Sequence, residues 1–345
     1  MKNNFALPLL ITATLSLLSS CDKGGSEFSI LSASSQFQQA STFVPRKIDV
    51  LFVVDNSGSM QTSQTNLANN FPSFINYFKS KGYDFRIAVT TTDAYYGEQF
   101  VNSGCSLCNI GQTQFRGNPK FIDNNTPNLE STFGANVKVG TTGSGDERAF
   151  SSFKAALGSS LNTGFHRSDA FLSVIVISDE EDFSHDDINQ NESYTQPTLH
   201  PVSMYKSFLQ TFTKGQPTTD FSFSTISVID EACRASLGGV TKIATRYMEL
   251  AATTGGTKNS LCNSFATVLD NISASIAAQT QAEFQLNTKP VVASIRVIID
   301  GVLVPQSVTN GWSYDSVTNK IKINGSTYQP NSGSSITINF DPDIT

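Results

Sequence analysis

Apolar positions along the chain follow two alternating rhythms. Ile48 to Val54 is an almost unbroken apolar run rich in Val and Ile, which predicts a strand buried on both faces of a parallel sheet. Leu67, Phe71, Phe74, Ile75 and Phe78 then recur three and four apart, predicting a helix with one aromatic stripe that Gly82 ends. Phe85–Thr90 reads as a second strand. From Ala94 to about Gly140 the pattern dissolves into Gly, Asn, Pro and two Cys, apart from a short strand near 120–122 and a helical turn near 128–133. Phe150, Phe153, Leu157 and Leu161 mark the next helix and Phe171–Ser178 the next buried strand. Further alternation places a helix over 204–212, a strand over 221–229, a helix over 240–252, a short strand near Cys262 and a helix over 265–279. Strands alternating with helices in this way specify the α/β class, a mostly parallel sheet with helices on both faces. After Gln281 the rhythm changes to short strands and turns, with Asp300-Gly301 and Asn324-Gly325 as hairpin signals. This predicts a small antiparallel β domain over 282–345.

The amino terminus adds a compartment. Lys2 followed by an apolar stretch from Phe5 to Leu18 fits a signal segment, too short for a membrane span. Leu18-Ser19-Ser20-Cys21 resembles the lipobox of bacterial lipoproteins. It implies a signal peptide over 1–20, a lipid on Cys21, and an envelope protein held at the inner or outer membrane, facing the periplasm or the exterior. Residues 21–45, rich in Ser and Gln without periodicity, read as a flexible tether. The four cysteines beyond Cys21 are then an even set in an oxidising compartment, most simply paired as Cys105–Cys108 and Cys233–Cys262. A net charge of -6 and no basic cluster argue against nucleic acid as a partner.

The candidate chemistry sits where the first buried strand stops. Asp55-Asn56-Ser57-Gly58-Ser59 places one carboxylate and two hydroxyls in the loop at a strand's carboxyl end, where open α/β sheets bind ligands. Such hard oxygen donors suit Mg²⁺ or Mn²⁺ rather than zinc. Asp179 closes the strand ending at Ser178, and the run Gly140-Thr141-Thr142-Gly143-Ser144-Gly145 offers further hydroxyls ahead of a helix. The bland reading of the two serines is a helix N-cap. The acidic run Asp179-Glu180-Glu181-Asp182, with Asp186 and Asp187, reads beyond Asp179 as a solvated loop, its sharper alternative being a Ca²⁺ site. His166, His185 and His200 are scattered and read as isolated surface histidines. No Gly-x-Ser-x-Gly, His-Glu-x-x-His or phosphate loop is present.

In its strand-loop-helix context, Asp55-x-Ser57-x-Ser59 resembles the metal-ion-dependent adhesion site of the von Willebrand factor type A domains. The resemblance spans about residues 46–281, with 94–140 as an insertion, and implies that family's doubly wound, Rossmann-like sheet. It implies a metal held by Asp55, Ser57, Ser59 and Asp179 with a Thr from the second loop. Here the family's Thr-x-Thr-Gly is Thr-Thr-Gly-Ser-Gly, so Thr142 is favoured and Thr141 comes next. The function implied is non-enzymatic: a protein partner's Glu or Asp carboxylate completes the metal's shell. Two other readings stay open, a Mg²⁺-dependent hydrolase using Asp55, and a metal-free envelope scaffold binding through the β domain and the Cys105–Cys108 loop.

Overall fold

The computed structural model describes residues 37–103, 105, 108–188, 194–195, 197–213, 220–238 and 241–344. Cys21 and the expected signal segment lie outside them. The strands are β1 (Phe37–Thr42), β2 (Lys47–Val54), β3 (Phe85–Thr91), β4 (Phe121–Asp123), β5 (Ala170–Ile177), β6 (Phe221–Ser227) and β7 (Lys258–Ser260). They are followed by β8 (Glu283–Gln285), β9 (Arg296–Ile299), β10 (Val302–Val304), β11 (Gly311–Asp315), β12 (Lys320–Asn324) and β13 (Ser335–Phe340). The helices are α1 (Gln61–Lys81), α2 (Ala94–Gln99), α3 (Leu129–Val137), α4 (Ala149–Gly158), α5 (Val202–Phe212), α6 (Glu231–Ser236), α7 (Thr245–Thr253) and α8 (Phe265–Gln279).

Six strands form the central sheet in the order β4-β3-β2-β5-β6-β7, parallel throughout except for the antiparallel edge strand β4. Side chains of β2 alternate between two cores, as a strand buried on both faces must. Val50, Phe52 and Val54 meet α1, α3 and α8, while Leu51 and Val53 meet α4, α5 and α7. The aromatic stripe of α1 is wholly buried, and Phe71 stacks on Phe133 of α3 at 3.7 Å. The chain leaves β2 for β3 on one side and returns to β5 on the other. The carboxyl ends of β2 and β5 therefore flank the topological switch point.

The second unit contains two antiparallel sheets, β1-β13-β9-β10 and β11-β12-β8, around a core of Phe284, Val297, Trp312, Ile321 and Ile338. Its boundary differs from the expected one. β1, which falls within the stretch read as tether, pairs along its full length with β13, so this unit is built from both ends of the described chain. The sequence Phe-Gln-Gln-Ala-Ser-Thr has no apolar alternation to announce a strand; β13 supplies the hydrogen bonds that make it one.

This unit packs against the amino edge of the central sheet. The Ser332 amide donates to the Lys81 carbonyl at 3.1 Å, and the Lys81 ammonium donates to the Gln329 carbonyl at 3.1 Å. Gly82, at φ +68°, ends α1 here, and a Cβ on it would come within 2.7 Å of the Ser332 Cβ. Glycine is thus required both for the left-handed turn and for the close approach. Disulfides join Cys105 to Cys108 and Cys233 to Cys262.

Candidate functional site

The site lies at the opposite, carboxyl edge of the central sheet. Asp55 follows β2 directly and is fully buried. Its carboxylate accepts from the Ser57 amide at 2.7 Å and from the Ser178 hydroxyl, at the end of β5, at 2.7 Å. Burial pushes its pKa up to about 6, against these hydrogen bonds and with a small addition from the Asp179 charge. The Ser57 and Ser59 hydroxyls lie 3.3 Å apart, and Ser59 donates to Asp179 at 3.1 Å. Burial raises the pKa of Asp179 as well. Four residues placed together from the sequence thus meet at the switch point. Neither serine caps α1, whose N-terminus has no side-chain cap. That removes the bland reading of the motif.

The second loop is brought in by residues the sequence reading did not single out. The Gln64 amide donates to the carbonyls of Asp55 at 2.9 Å and Gly140 at 2.7 Å, tying the two loops together. The Gly143 amide donates to the Asn56 carbonyl at 2.8 Å, and a Cβ on Gly143 would lie 2.2 Å from the Asn56 Nδ2. Asp93, just past β3, accepts from Asn56 at 3.1 Å, Thr91 at 2.7 Å and the Ser144 amide at 3.3 Å. Thr141 is half-buried and Thr142 exposed; neither makes a hydrogen bond to Asp55, Ser57, Ser59 or Asp179. The loop is in place, but its threonines do not join the cluster. Ser178 had a legible signal, a hydroxyl ending a buried apolar strand. Gln64 and Asp93 had none beyond their distance in sequence from a strand end.

The acidic run departs from the expected solvated loop. Glu181 is buried and accepts from the Thr245 hydroxyl at 2.6 Å and the Arg246 amide at 2.9 Å. Asp182 is fully buried and accepts from the Phe150 amide at 3.0 Å, the Ser184 hydroxyl at 2.7 Å and the Arg246 guanidinium at 3.0 Å. Both carboxylates dock the loop onto helix starts, where free N–H groups favour an anion. His185, expected at the surface, is buried, and desolvation together with the Arg148 charge lowers its pKa to about 4. Arg148 is itself buried, paired with Asp146 at 2.6 Å and lying over the Tyr96 ring at 4.9 Å.

Charge at the site is therefore lopsided. Three arginines pair away from Asp55 and Asp179, Arg148 with Asp146, Arg246 with Asp182 and Arg167 with Asp49, while the half-buried Arg116 reaches only the margin of the site, donating to Thr91 at 3.2 Å. Among the described residues no Lys or Arg forms a salt bridge with Asp55 or Asp179. Oxygen donors, buried carboxylates and absent counter-charge fit a hard divalent cation.

No protein-family model matches the chain, and no curated protein does. Solved structures similar to it include the pilus adhesin SpaC from Lactobacillus rhamnosus GG in its open conformation. That match has 10% identity and a TM-score of 0.42, covering 87% of this chain and 39% of that one. They also include the three N-terminal domains of the type V pili tip protein Mfa5 from Porphyromonas gingivalis, at 12% identity and a TM-score of 0.40, covering 89% and 64%. A third is proximal thread matrix protein 1 from the mussel byssus, at 10% identity and a TM-score of 0.39, covering 71% and 51%. The chain spans less than two thirds of each of these structures. With TM-scores below 0.5, the fold description rests on strand order and register alone.

These findings correct the family expectation. No family model matches, and these three similar structures are a pilus adhesin, a pilus tip protein and a byssus matrix protein. Among the described residues no group of three or more His, Cys, Asp or Glu is arranged to hold a metal ion. The physical reason is visible in the acidic loop, where Glu181 and Asp182 serve helix ends and leave two carboxylates in the cluster. The expected membership of the von Willebrand factor type A family is thereby overturned, and the site stands on its own geometry.

Proposed function

We propose that this chain is a protein-binding module of the bacterial envelope, acting through a divalent cation at the carboxyl edge of the central sheet. Asp55, Ser57, Ser59 and Asp179 would hold Mg²⁺ or Mn²⁺, with Thr142 or Thr141 able to join by a small movement of an exposed loop. When bound, such a cation supplies a Lewis-acidic centre with exchangeable water that a partner's carboxylate can displace. The chain's residues do the rest. Ser178 and the Ser57 amide fix Asp55, and Gln64 fixes the loop spacing. Gly143 keeps the second loop close to Asn56. The observation that carries this reading is the pair of buried carboxylates, with two hydroxyls between them, with which no Lys or Arg among the described residues forms a salt bridge.

The placement of the second unit supports an anchored binder. Entry through β1 lies at the amino edge, so a lipid on Cys21 would hold the molecule by the end away from the site. Binding of this kind requires no turnover. The test is thermal unfolding of the chain with Mg²⁺ or Mn²⁺ against excess chelator, repeated on Asp55→Ala. A stabilisation by metal that Asp55→Ala abolishes supports the reading. No stabilisation of the wild type at millimolar metal overturns its metal-dependent form. Incorporation of labelled fatty acid, lost in Cys21→Ala, tests the anchor.

A further inference from the structure

Past Asp182 the acidic loop builds something that the cation site does not use. Asp186, His200, Tyr205 and Ser151 form one chain of polar contacts. The Ser151 and Tyr205 hydroxyls lie 2.7 Å apart, the Tyr205 hydroxyl lies 2.7 Å from His200 Nδ1, and His200 Nε2 lies 3.3 Å from Asp186 Oδ2. The Tyr95 hydroxyl donates to Asp186 Oδ1 at 2.7 Å. His200, expected as an isolated surface residue, is thus the middle of the chain. Its backbone is pinned too, the amide donating to the Ser184 carbonyl at 3.0 Å and the carbonyl accepting from the Arg246 guanidinium at 2.7 Å. Tyr205 and Ser151 are buried and hold the chain from within.

These residues line a cavity of about 460 Å³ between α4 and α5, within the range of about 300–1,000 Å³ usual for small-molecule sites. Its apolar wall comes from Met204 and Phe208, one helical turn apart on α5, with Ala155 and Gly158 of α4. Nothing lies within 4 Å of where a Gly158 Cβ would stand. The Asp186 side chain is 71% exposed, yet Tyr95 and His200 fix it from one side. The Tyr95 hydrogen bond also holds its pKa below the usual carboxylate range. An ionised carboxylate accepts about four hydrogen bonds, so Asp186 keeps capacity for donors from outside.

This lining selects among ligands. An anion would meet Asp186, and a cation would meet Lys154, which lines the same cavity and forms no salt bridge among the described residues. A wholly apolar ligand would strip water from both charges and replace it with nothing. A neutral ring with hydroxyls on its edge and C–H groups on its face fits each wall. Its hydroxyls can donate to Asp186 and accept from Lys154, while its face covers Met204 and Phe208. We propose that this cavity is a carbohydrate site for a neutral hexose unit, with Asp186 as the acceptor for sugar hydroxyls and Phe208 and Met204 as the platform for the ring. It shares no residue with the cation cluster and does not depend on it.

The experiment is saturation-transfer NMR on the chain in excess chelator, which removes any binding through a cation. The probes are glucose, galactose and mannose, their methyl glycosides, and benzoate and leucine as charged comparisons. Wild type, Asp186→Ala and Gly158→Trp are compared, with thermal unfolding as the check on folding. The expected result is transfer to the ring protons of at least one sugar. Asp186→Ala should weaken it about 10- to 100-fold, the scale of a hydrogen bond to a charged group, and Gly158→Trp should abolish it by filling the cavity. Methyl glycosides that bind as well as the free sugars assign a unit within a glycan, and binding confined to the free sugars assigns a monosaccharide; either supports the site. No transfer to any sugar, or transfer to benzoate or leucine alone, overturns the proposal. So does sugar binding that survives in folded Asp186→Ala, a variant at an exposed side chain that keeps the test decisive even if Gly158→Trp does not fold.

Discussion

Two aspartates on one strand show how the molecule divides its labour. Asp49 lies within β2 and Asp55 immediately follows it, and both are fully buried. Asp49, near the amino edge, is closed from within. Arg167 reaches it with Nε at 3.0 Å and Nη2 at 2.7 Å, and the Arg167 amide adds a third bond at 2.7 Å. Asp55, at the carboxyl edge, receives one hydroxyl and one amide and no cation. The same residue type at the same burial is thus complete at one end and open at the other. The complete end is where the second unit docks; the open end is where the loops gather. A buried charge with its counter-charge supplied is architecture. One without it leaves a place for something that arrives from outside.

The comparison can be broken most sharply at Asp49. Asp49→Ala leaves the Arg167 guanidinium largely buried without its main partner, and such losses run to about 3–5 kcal/mol. Chemical denaturation should show that loss equally with and without metal. If metal rescued it, the division between the two ends would be wrong.

Next in size is the pH dependence of the metal-free chain. Asp55 has a pKa of 3.8 when unfolded and about 6 when folded, so the folded state holds the proton more tightly. Its contribution therefore favours folding below about pH 4 and is lost as pH rises towards 6. The total is about 3 kcal/mol at 1.36 kcal/mol per pKa unit. Asp55→Asn should abolish this slope, so that in chelator at pH 7 the variant is more stable than wild type. Urea denaturation at pH 4 and pH 7 on both proteins measures the difference directly. A wild-type chain no less stable at pH 7 than its variant would show that Asp55 is neutralised from within.

Metal should supply what Arg167 supplies at the other end. At a hundredfold excess over its dissociation constant, Mg²⁺ or Mn²⁺ is expected to stabilise wild type by about 2.7 kcal/mol and Asp55→Asn not at all. Smallest is Ser178→Ala, which deletes one hydrogen bond to Asp55 and should destabilise by about 1 kcal/mol. Because that hydroxyl steadies the charged form, the variant should also move the Asp55 titration upward. Direct NMR titration of the carboxyl carbon would read that shift, and a downward movement would contradict the assigned donor.

Much of this was legible in the chain alone. A strand buried on both faces needs apolar residues on both, so Ile48–Val54 and Phe171–Ile177 announce themselves, and a helix packed on one face announces its stripe. Asp55 and Asp179 follow from those two strands, because a carboxylate ending an apolar run has to sit at the sheet's edge. Less was legible in the acidic run, where charge density suggests solvent. Whether Glu181 or Asp182 faces water depends on where α4 and α7 begin, and those helices lie tens of residues away in sequence. The family reading overreached for a related reason. A five-residue pattern fixes which donors one loop offers, but not which carboxylates the other loops bring within reach.

What the sequence determined by itself is therefore local and periodic: strand and helix positions, the polar loop after β2, the cysteine count. Pairing at a distance belongs to the folded molecule. β1 is a strand because β13 lies beside it, and Asp49 is satisfied because Arg167 crosses 118 residues to meet it. Periodicity records which side of an element is dry, a property of the element alone. Charge compensation is a property of the space between elements, and it exists only once the chain has folded around it.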